Sequence, residues 1–391
     1  MGAGNWSKIS YRSGIMKILT AVFSNHCNLD CSYCCIGSKG NSPVLSKEQV
    51  LAFVKEYMDD DSNILEFYGG EPLMHSEDII GTIDCLTSIG IRDKFSIRLY
   101  TNGVNLTSEP NWTLCRKYVD DILISLDGID YESNKQRFTS EEQFESVVSG
   151  IRQLSNSGGP EISLSQVLFG KEKYMNMFEV FEHFYDMIDC FSYEPVTVWN
   201  DDRPVVIPKE HMELFLRNMW RIIHFIATND SAGERSLFVA KELMSSKFYP
   251  MSKENCCSSV ARSISPRGNV YMCRDHAANE EHIFYGPKVI QFGNKNNLKE
   301  QNGNFDHIYK YENTYTPCVV KDFQYIKHGN PDALYWLEDD FQRLFIMPLY
   351  HTIIGINEGN RTKEFISNIE TYMSQCPFET ITKGILNGLL S

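Results

Sequence analysis

Residues 17–34 read Lys17-Ile-Leu-Thr-Ala-Val-Phe23-Ser-Asn-His-Cys27-Asn-Leu-Asp-Cys31-Ser-Tyr-Cys34. The first seven form a short apolar run of strand composition, with β-branched and aromatic side chains. The remainder shows no periodicity and carries three cysteines in Cys-x3-Cys-x2-Cys spacing. Three thiolates on one loop can converge on a single metal centre, and soft sulfur ligands select iron–sulfur clusters, zinc or copper(I). Structural zinc takes four ligands, so a triplet leaves either a distant fourth ligand or an open position. A [4Fe–4S] cluster held by three cysteines exposes one iron. Three ordinary buried thiols are the competing reading, but burial gives no reason to cluster them beside Asn28, Asp30 and Ser32.

Outward from this stretch, short apolar runs alternate with amphipathic ones as far as residue 199. Strands are expected at Lys17–Phe23, Ile64–Tyr68, Phe95–Tyr100, Asp121–Leu126, Glu161–Phe169 and Cys190–Val198. Several end in turn residues, as at Gly69-Gly70, Asn102-Gly103 and Asp127-Gly128. Helices are expected at Ser46–Met58, Glu77–Ile89, Ser140–Leu154 and Tyr174–Met187, with a weaker segment at Trp112–Tyr118. Ser46-Lys-Glu-Gln49 has the form of a capping box. Alternating units of this kind make an α/β fold of parallel strands with right-handed crossovers. Periodicity does not choose between an open sheet and an incomplete barrel, but either places chemistry at the carboxyl ends of the strands. Beyond Val198 the pattern changes. Residues 201–252 read as a helical connector (His211–Ala227 and Glu234–Phe248), 253–320 are rich in Asn, Gly and Cys, and 321–391 return to helical patterning.

The chain has 391 residues, 51 acidic and 37 basic, for a net charge of −14. That balance argues against a nucleic-acid partner, because phosphate backbones are held chiefly by Lys and Arg. It argues equally against polybasic attachment to a membrane. No apolar run approaches the roughly 20 residues needed to span a bilayer, and residues 1–16 read as a tail without a signal-peptide core or the myristoylation pattern. A cytoplasmic location is therefore expected. Twelve cysteines in a chain of this size do not form a disulfide framework.

Three further motifs follow successive strands: Gly69-Gly70-Glu71-Pro72, Thr101-Asn102-Gly103, and Ser125-Leu126-Asp127-Gly128 with Arg137 twelve residues after Ser125. Glycines allow close approach of backbone, Glu71 offers an acceptor for an ammonium group, and Arg137 offers a fork for a carboxylate. With the cysteine loop, whose last cysteine follows the aromatic Tyr33, this ordered set resembles the radical S-adenosylmethionine (AdoMet) enzymes, in particular the sulfatase-maturing and peptide-modifying branch. The resemblance covers residues 17–200 and implies a partial (β/α)6 TIM barrel. It implies that Cys27, Cys31 and Cys34 hold a [4Fe–4S] cluster. It also implies that Tyr33, Gly69, Gly70, Glu71, Thr101, Asn102, Ser125, Asp127 and Arg137 bind AdoMet. The implied chemistry is one-electron cleavage of AdoMet to a 5′-deoxyadenosyl radical that abstracts a substrate hydrogen, with a reduced flavodoxin or ferredoxin as electron donor.

A second cysteine group, Cys256-Cys257-x8-Pro266-Arg-Gly268-x4-Cys273, resembles the hairpin of the SPASM and twitch auxiliary-cluster domains. Its hairpin is expected at Ser263–Ser265 and Val270–Cys273, turning through a glycine tolerant of φ > 0. Cys256 or Cys257, Cys273 and Cys318 are the implied ligands of one auxiliary [4Fe–4S] cluster in a small domain at 253–320. The fourth ligand is open between Cys257, Cys376, a non-cysteine group and substrate. A zinc site or packed thiols are the alternatives. Cys35 reads as a neighbour of the first cluster, while Cys85, Cys115 and Cys190 read as core.

Less specific candidates for a base or substrate anchor are Glu194, Asp201, Asp202, Arg203, Arg274, Asp275 and His276, whereas His183 and His224 read as ordinary helix residues. The resemblance points to a peptide or protein substrate. With 26 residues before Cys27, no leader-recognition domain is expected there, and residues 320–391 are the expected recognition region. The alternatives are radical oxidation of a small alcohol or sugar, and a zinc-binding interaction protein without enzymatic activity.

Overall fold

β1 (Lys17–Ser24) is the strand around which the molecule is built. The structure is a computed structural model that describes residues 17–34, 36, 39, 42–59, 63–195, 209–229, 261–271, 274–278, 291–293 and 362–375. From β1 the chain passes through α1 (Lys47–Tyr57), β2 (Asn63–Gly69), α2 (Ser76–Ser88) and β3 (Phe95–Thr101). It continues through α3 (Asn111–Thr113), β4 (Asp121–Ser125), α4 (Tyr131–Asn134), α5 (Glu141–Ser157), β5 (Glu161–Leu168), α6 (Gly170–Phe184) and β6 (Cys190–Pro195). Beyond lie α7 (Lys209–Thr228), β7 (Ala261–Ile264), β8 (Val270–Tyr271), α8 (Arg274–Ala278), β9 (Gln291–Gly293) and α9 (Lys363–Gln375).

The six strands expected from the sequence form one parallel run, in the order β6-β5-β4-β3-β2-β1. The sheet is open rather than closed. The capping box starts α1 as read: Ser46 accepts from the Gln49 amide, and the Gln49 side chain accepts from the Ser46 amide. The weak segment Trp112–Tyr118 becomes α3 followed by a wide π-type turn to Tyr118.

One face of the sheet presents Leu19, Ala21, Leu65, Phe67, Ile97, Leu99, Ile122, Ile124, Ile162 and Leu164 to the helices. These meet Val50 and Phe53 of α1, Ile79 and Ile83 of α2 and Val147 and Ile151 of α5. Full burial of each such side chain stabilises by about 1.5–3 kcal/mol before entropy is counted. With a period of two, the residues between them point to the opposite face. There Thr20, Glu66, Arg98, Asp121 and Ser163 form a polar ladder across five strands. Arg98 donates to Glu66 Oε1 at 3.2 Å and Asp121 Oδ2 at 2.5 Å, Thr20 donates to Glu66 Oε2 at 2.8 Å, and Ser163 donates to Asp121 Oδ1 at 3.1 Å.

The hairpin expected from Ser263 adds directly to this sheet. β7 pairs parallel with β1, matching Ile18 with Ala261 and Ala21 with Ile264. β8 and β9 follow antiparallel. The turn closes where expected: Gly268 takes φ 82°, its amide donates to the Ser265 carbonyl at 2.8 Å, and the Ser265 amide donates to the Asn269 carbonyl at 2.8 Å.

Candidate functional site

All four motifs lie at the carboxyl ends of neighbouring strands: the cysteine loop after β1, Gly-Gly-Glu-Pro after β2, Thr-Asn-Gly at the end of β3, and Ser-Leu-Asp-Gly at the end of β4. Gly69 and Gly70 bring the end of β2 against the start of the loop. The Gly70 amide donates to the Ser24 carbonyl at 2.8 Å, and the Glu71 amide donates to the His26 carbonyl at 2.7 Å. A Cβ on Gly70 would lie 2.0 Å from the His26 oxygen, and one on Gly69, at φ 142°, would lie 2.2 Å from the Ser24 oxygen. The glycines thus allow backbone-to-backbone packing of the loop against the end of β2.

Glu71 is buried and ties β2 to β3. Its Oε1 accepts from the Leu73 amide at 2.9 Å and the Thr101 hydroxyl at 2.7 Å, and its Oε2 accepts from the Asn102 amide at 2.7 Å. A carboxylate offers about four acceptor sites, so one on Oε2 is left. Burial pushes the Glu71 carboxyl up to about 7, against the lowering effect of these donors. A cationic donor arriving at the remaining site would restore its charge. Asn102 in turn reaches the cysteine loop, donating to Asn28 Oδ1 at 2.7 Å and to Cys27 Sγ at 3.8 Å.

On the β4 side, Arg137 and Asp127 form a buried ion pair, with Nε to Oδ2 at 3.3 Å and Nη2 to Oδ1 at 3.2 Å. Burial opposes the charge on Arg137, yet Asp127 holds its pKa well above the ordinary value. The guanidinium carbon lies 5.6 Å from the Tyr33 ring centroid, and the Tyr33 hydroxyl donates to Asp127 Oδ2. Nη1 of Arg137 has no protein partner among the described residues. Ser125 is half-buried at the end of β4.

Cys27, Cys31 and Cys34 are partly buried free thiols. Burial pushes the Cys27 thiol up to about 11, against the lowering effect of the Leu29 amide, with Glu71, Cys31 and Cys34 adding to the rise. Burial likewise raises Cys31. Three thiolates so placed repel one another unless a cation gathers them. Among the described residues no set of three or more Cys, His, Asp or Glu side chains is arranged to hold a metal ion. The loop thus places the thiols on one short segment without closing them on a common centre.

Cys35, Cys256, Cys257, Cys273, Cys318 and Cys376 lie outside the described residues, as do Asp201, Asp202 and Arg203. Cys115 is buried in the core as expected, Cys190 is buried, and Cys85 is partly exposed. Arg274 in α8 reaches the polar face of the sheet. Its guanidinium lies 4.8 and 5.1 Å from the Tyr100 and Tyr68 ring centroids, and Nη1 donates to the Tyr100 hydroxyl at 2.6 Å. Sequence reading missed the Glu66–Arg98–Asp121 ladder. The available signal was a charged residue flanked by apolar neighbours in two adjacent strands of a buried parallel sheet.

Residues 21–184, which run from within β1 to the end of α6 and carry all four motifs, match the family model described as Radical SAM superfamily. The family implies a [4Fe–4S] cluster and AdoMet. The chain is similar to the mycofactocin maturase MftC of Mycolicibacterium smegmatis, 32% identical over 155 residues that cover 38% of this chain and 37% of that one. It is also similar to probable GTP 3′,8-cyclases of Saccharolobus islandicus, 29% identical over 154 residues, 39% of this chain and 48% of those. The matches thus span about half the length of these curated relatives, or less. Among solved structures, hexahistidine-tagged anSMEcpe with bound AdoMet aligns at a TM-score of 0.60 and 14% identity, covering 88% of this chain and 98% of that one. Native anSMEcpe with bound AdoMet and Kp18Cys peptide gives 0.59 at 14% identity, with 91% and 99% covered. At that identity the likeness shows the fold. Among the described residues no helix is long and apolar enough to cross a membrane.

Proposed function

We propose that the chain is a radical AdoMet enzyme acting on a peptide or protein. In this reading Cys27, Cys31 and Cys34 hold the [4Fe–4S] cluster. Glu71 takes the AdoMet ammonium on its remaining acceptor site, Nη1 of Arg137 takes the carboxylate, and Ser125, Thr101, Asn102 and Tyr33 line or support the same place. The observation that carries the reading is the hydrogen-bonded assembly of the cysteine loop, Glu71 and Asn102 at adjoining strand ends, with one acceptor site left on a buried carboxylate. When bound, cluster and AdoMet supply a 5′-deoxyadenosyl radical for hydrogen abstraction. The chain's own side chains orient the charged ends of AdoMet and exclude water around Glu71 and Arg137.

The peptide substrate is supported by the maturase relative and by the fold shared with a protein solved with a peptide. One auxiliary [4Fe–4S] cluster at Cys256 or Cys257, Cys273 and Cys318 completes the reading, in a domain over 253–320 that follows the 201–252 connector. Residues 321–391 are left for substrate recognition, and a reduced flavodoxin or ferredoxin would supply electrons in the cytoplasm. The cyclase relatives favour a second reading, a small-molecule substrate.

Anaerobic reconstitution with iron and sulfide analysis tests the cofactor set. About eight irons per chain are expected, roughly half lost on Cys27→Ala and half on Cys273→Ala. A colourless protein carrying zinc would contradict it.

A further inference from the structure

We propose that Asp127 is a positioning residue rather than a cofactor contact, and that it couples the Cys31–Cys34 loop to the readiness of Arg137 for the AdoMet carboxylate. The inference rests on the reading of the site given above. Four donors converge on the Asp127 side chain. Oδ1 accepts from the Val167 amide at 3.0 Å and from Arg137 Nη2 at 3.2 Å. Oδ2 accepts from Arg137 Nε at 3.3 Å and from the Tyr33 hydroxyl. A carboxylate has about four acceptor sites, so none remains for a ribose hydroxyl. The backbone is fixed too: the Asp127 amide donates to Asn134 Oδ1 at 2.8 Å, and its carbonyl accepts from Gln166 Nε2 at 3.2 Å.

Three of the four donors come from two loops, one from Tyr33 and two from Arg137. Tyr33 stands between Cys31 and Cys34. Its neighbour Ser32 is stitched to residue 136, its amide donating to the Gln136 carbonyl at 3.0 Å and its hydroxyl to Gln136 Oε1. The next residue is Arg137. The cysteine loop thus presents Tyr33 to the same carboxylate that aims the guanidinium. A loop that opens withdraws the Tyr33 hydroxyl and Ser32 together and loosens Arg137. A carboxylate held on Nη1 draws the same contacts tight from the other side, so the coupling is reciprocal.

The test uses the full chain reconstituted anaerobically with iron and sulfide. The readouts are AdoMet Kd by equilibrium dialysis, iron per chain, the electron paramagnetic resonance spectrum of the reduced cluster with and without AdoMet, and the rate of iron loss to a chelator. Asp127→Asn should keep its iron, bind AdoMet about tenfold more weakly, and lose the AdoMet-induced spectral shift. In the wild type AdoMet should slow iron loss severalfold, and Tyr33→Phe, which leaves the ion pair intact, should lose that protection. An unchanged Kd in iron-loaded Asp127→Asn overturns the proposal, as does full protection in Tyr33→Phe. Where Asp127→Asn does not fold, Tyr33→Phe decides alone. A wild-type protein that binds neither iron nor AdoMet overturns the underlying reading as well, whereas a contrary variant against a competent wild type overturns the coupling only.

Discussion

Glu71 is held by three protein donors and still sits at about 7, because burial outweighs them. Two consequences of opposite sign follow. In folding, the native carboxyl holds its proton more tightly than an ordinary one at 4.5. Its contribution to stability is therefore greatest below that value and is lost as pH rises to about 7. In binding, an ammonium ligand needs the carboxylate and competes with the proton. AdoMet affinity should therefore rise about tenfold across roughly pH 6 to 8 and level off above. The Glu71→Gln variant should bind weakly with no such rise. Titration calorimetry across that range checks both, and a flat wild-type profile would show that the ammonium lies elsewhere.

At the scale of elements, the two glycines at the end of β2 set how closely that strand approaches the cysteine loop. Gly70→Ala places a methyl group 2.0 Å from the His26 carbonyl oxygen, a backbone atom that moves only with the loop. We expect a loss of about 1–3 kcal/mol, and reduced iron retention. Gly81 in α2 has nothing within 4 Å of its added Cβ, so Gly81→Ala should stabilise by about 0.5–1 kcal/mol. Denaturant unfolding of the two variants distinguishes them, and equal effects would mean that the loop does not bear on the β2 end. The strands and helices around these positions were legible because hydrophobic period and turn residues are local. The role of the glycines was legible only as a need for close approach. What approaches them, the Ser24 and His26 carbonyls, is set by tertiary contact.

Across the described residues the strands form one nine-stranded sheet, in which β7 extends the parallel run beyond β1 and β8 and β9 follow antiparallel. The sequence showed a hairpin with a glycine turn, but strand order depends on side-by-side pairing that periodicity does not encode. The polar ladder was equally hidden: Glu66, Arg98 and Asp121 come from three strands and meet only when the sheet forms. Arg98 carries the one guanidinium between the two buried carboxylates of this ladder. Arg98→Met should leave both carboxylates uncompensated and cost about 3–5 kcal/mol at neutral pH. Thermal melts at neutral pH check this, and a variant as stable as the wild type would contradict it. The order and spacing of the four motifs pointed to strand ends, and each lies at one. The saturation of Asp127 was not legible, because its donors come from residues 33, 137 and 167.

Reductive cleavage of AdoMet by this assembly of loop, Glu71 and Arg137 is tested most directly by incubating the iron-reconstituted full chain with AdoMet and dithionite without oxygen and measuring 5′-deoxyadenosine by mass spectrometry. The account predicts its formation by the wild type, a strong reduction in Glu71→Gln and none in Cys27→Ala. An iron-loaded wild type that forms no 5′-deoxyadenosine above the Cys27→Ala background would contradict it.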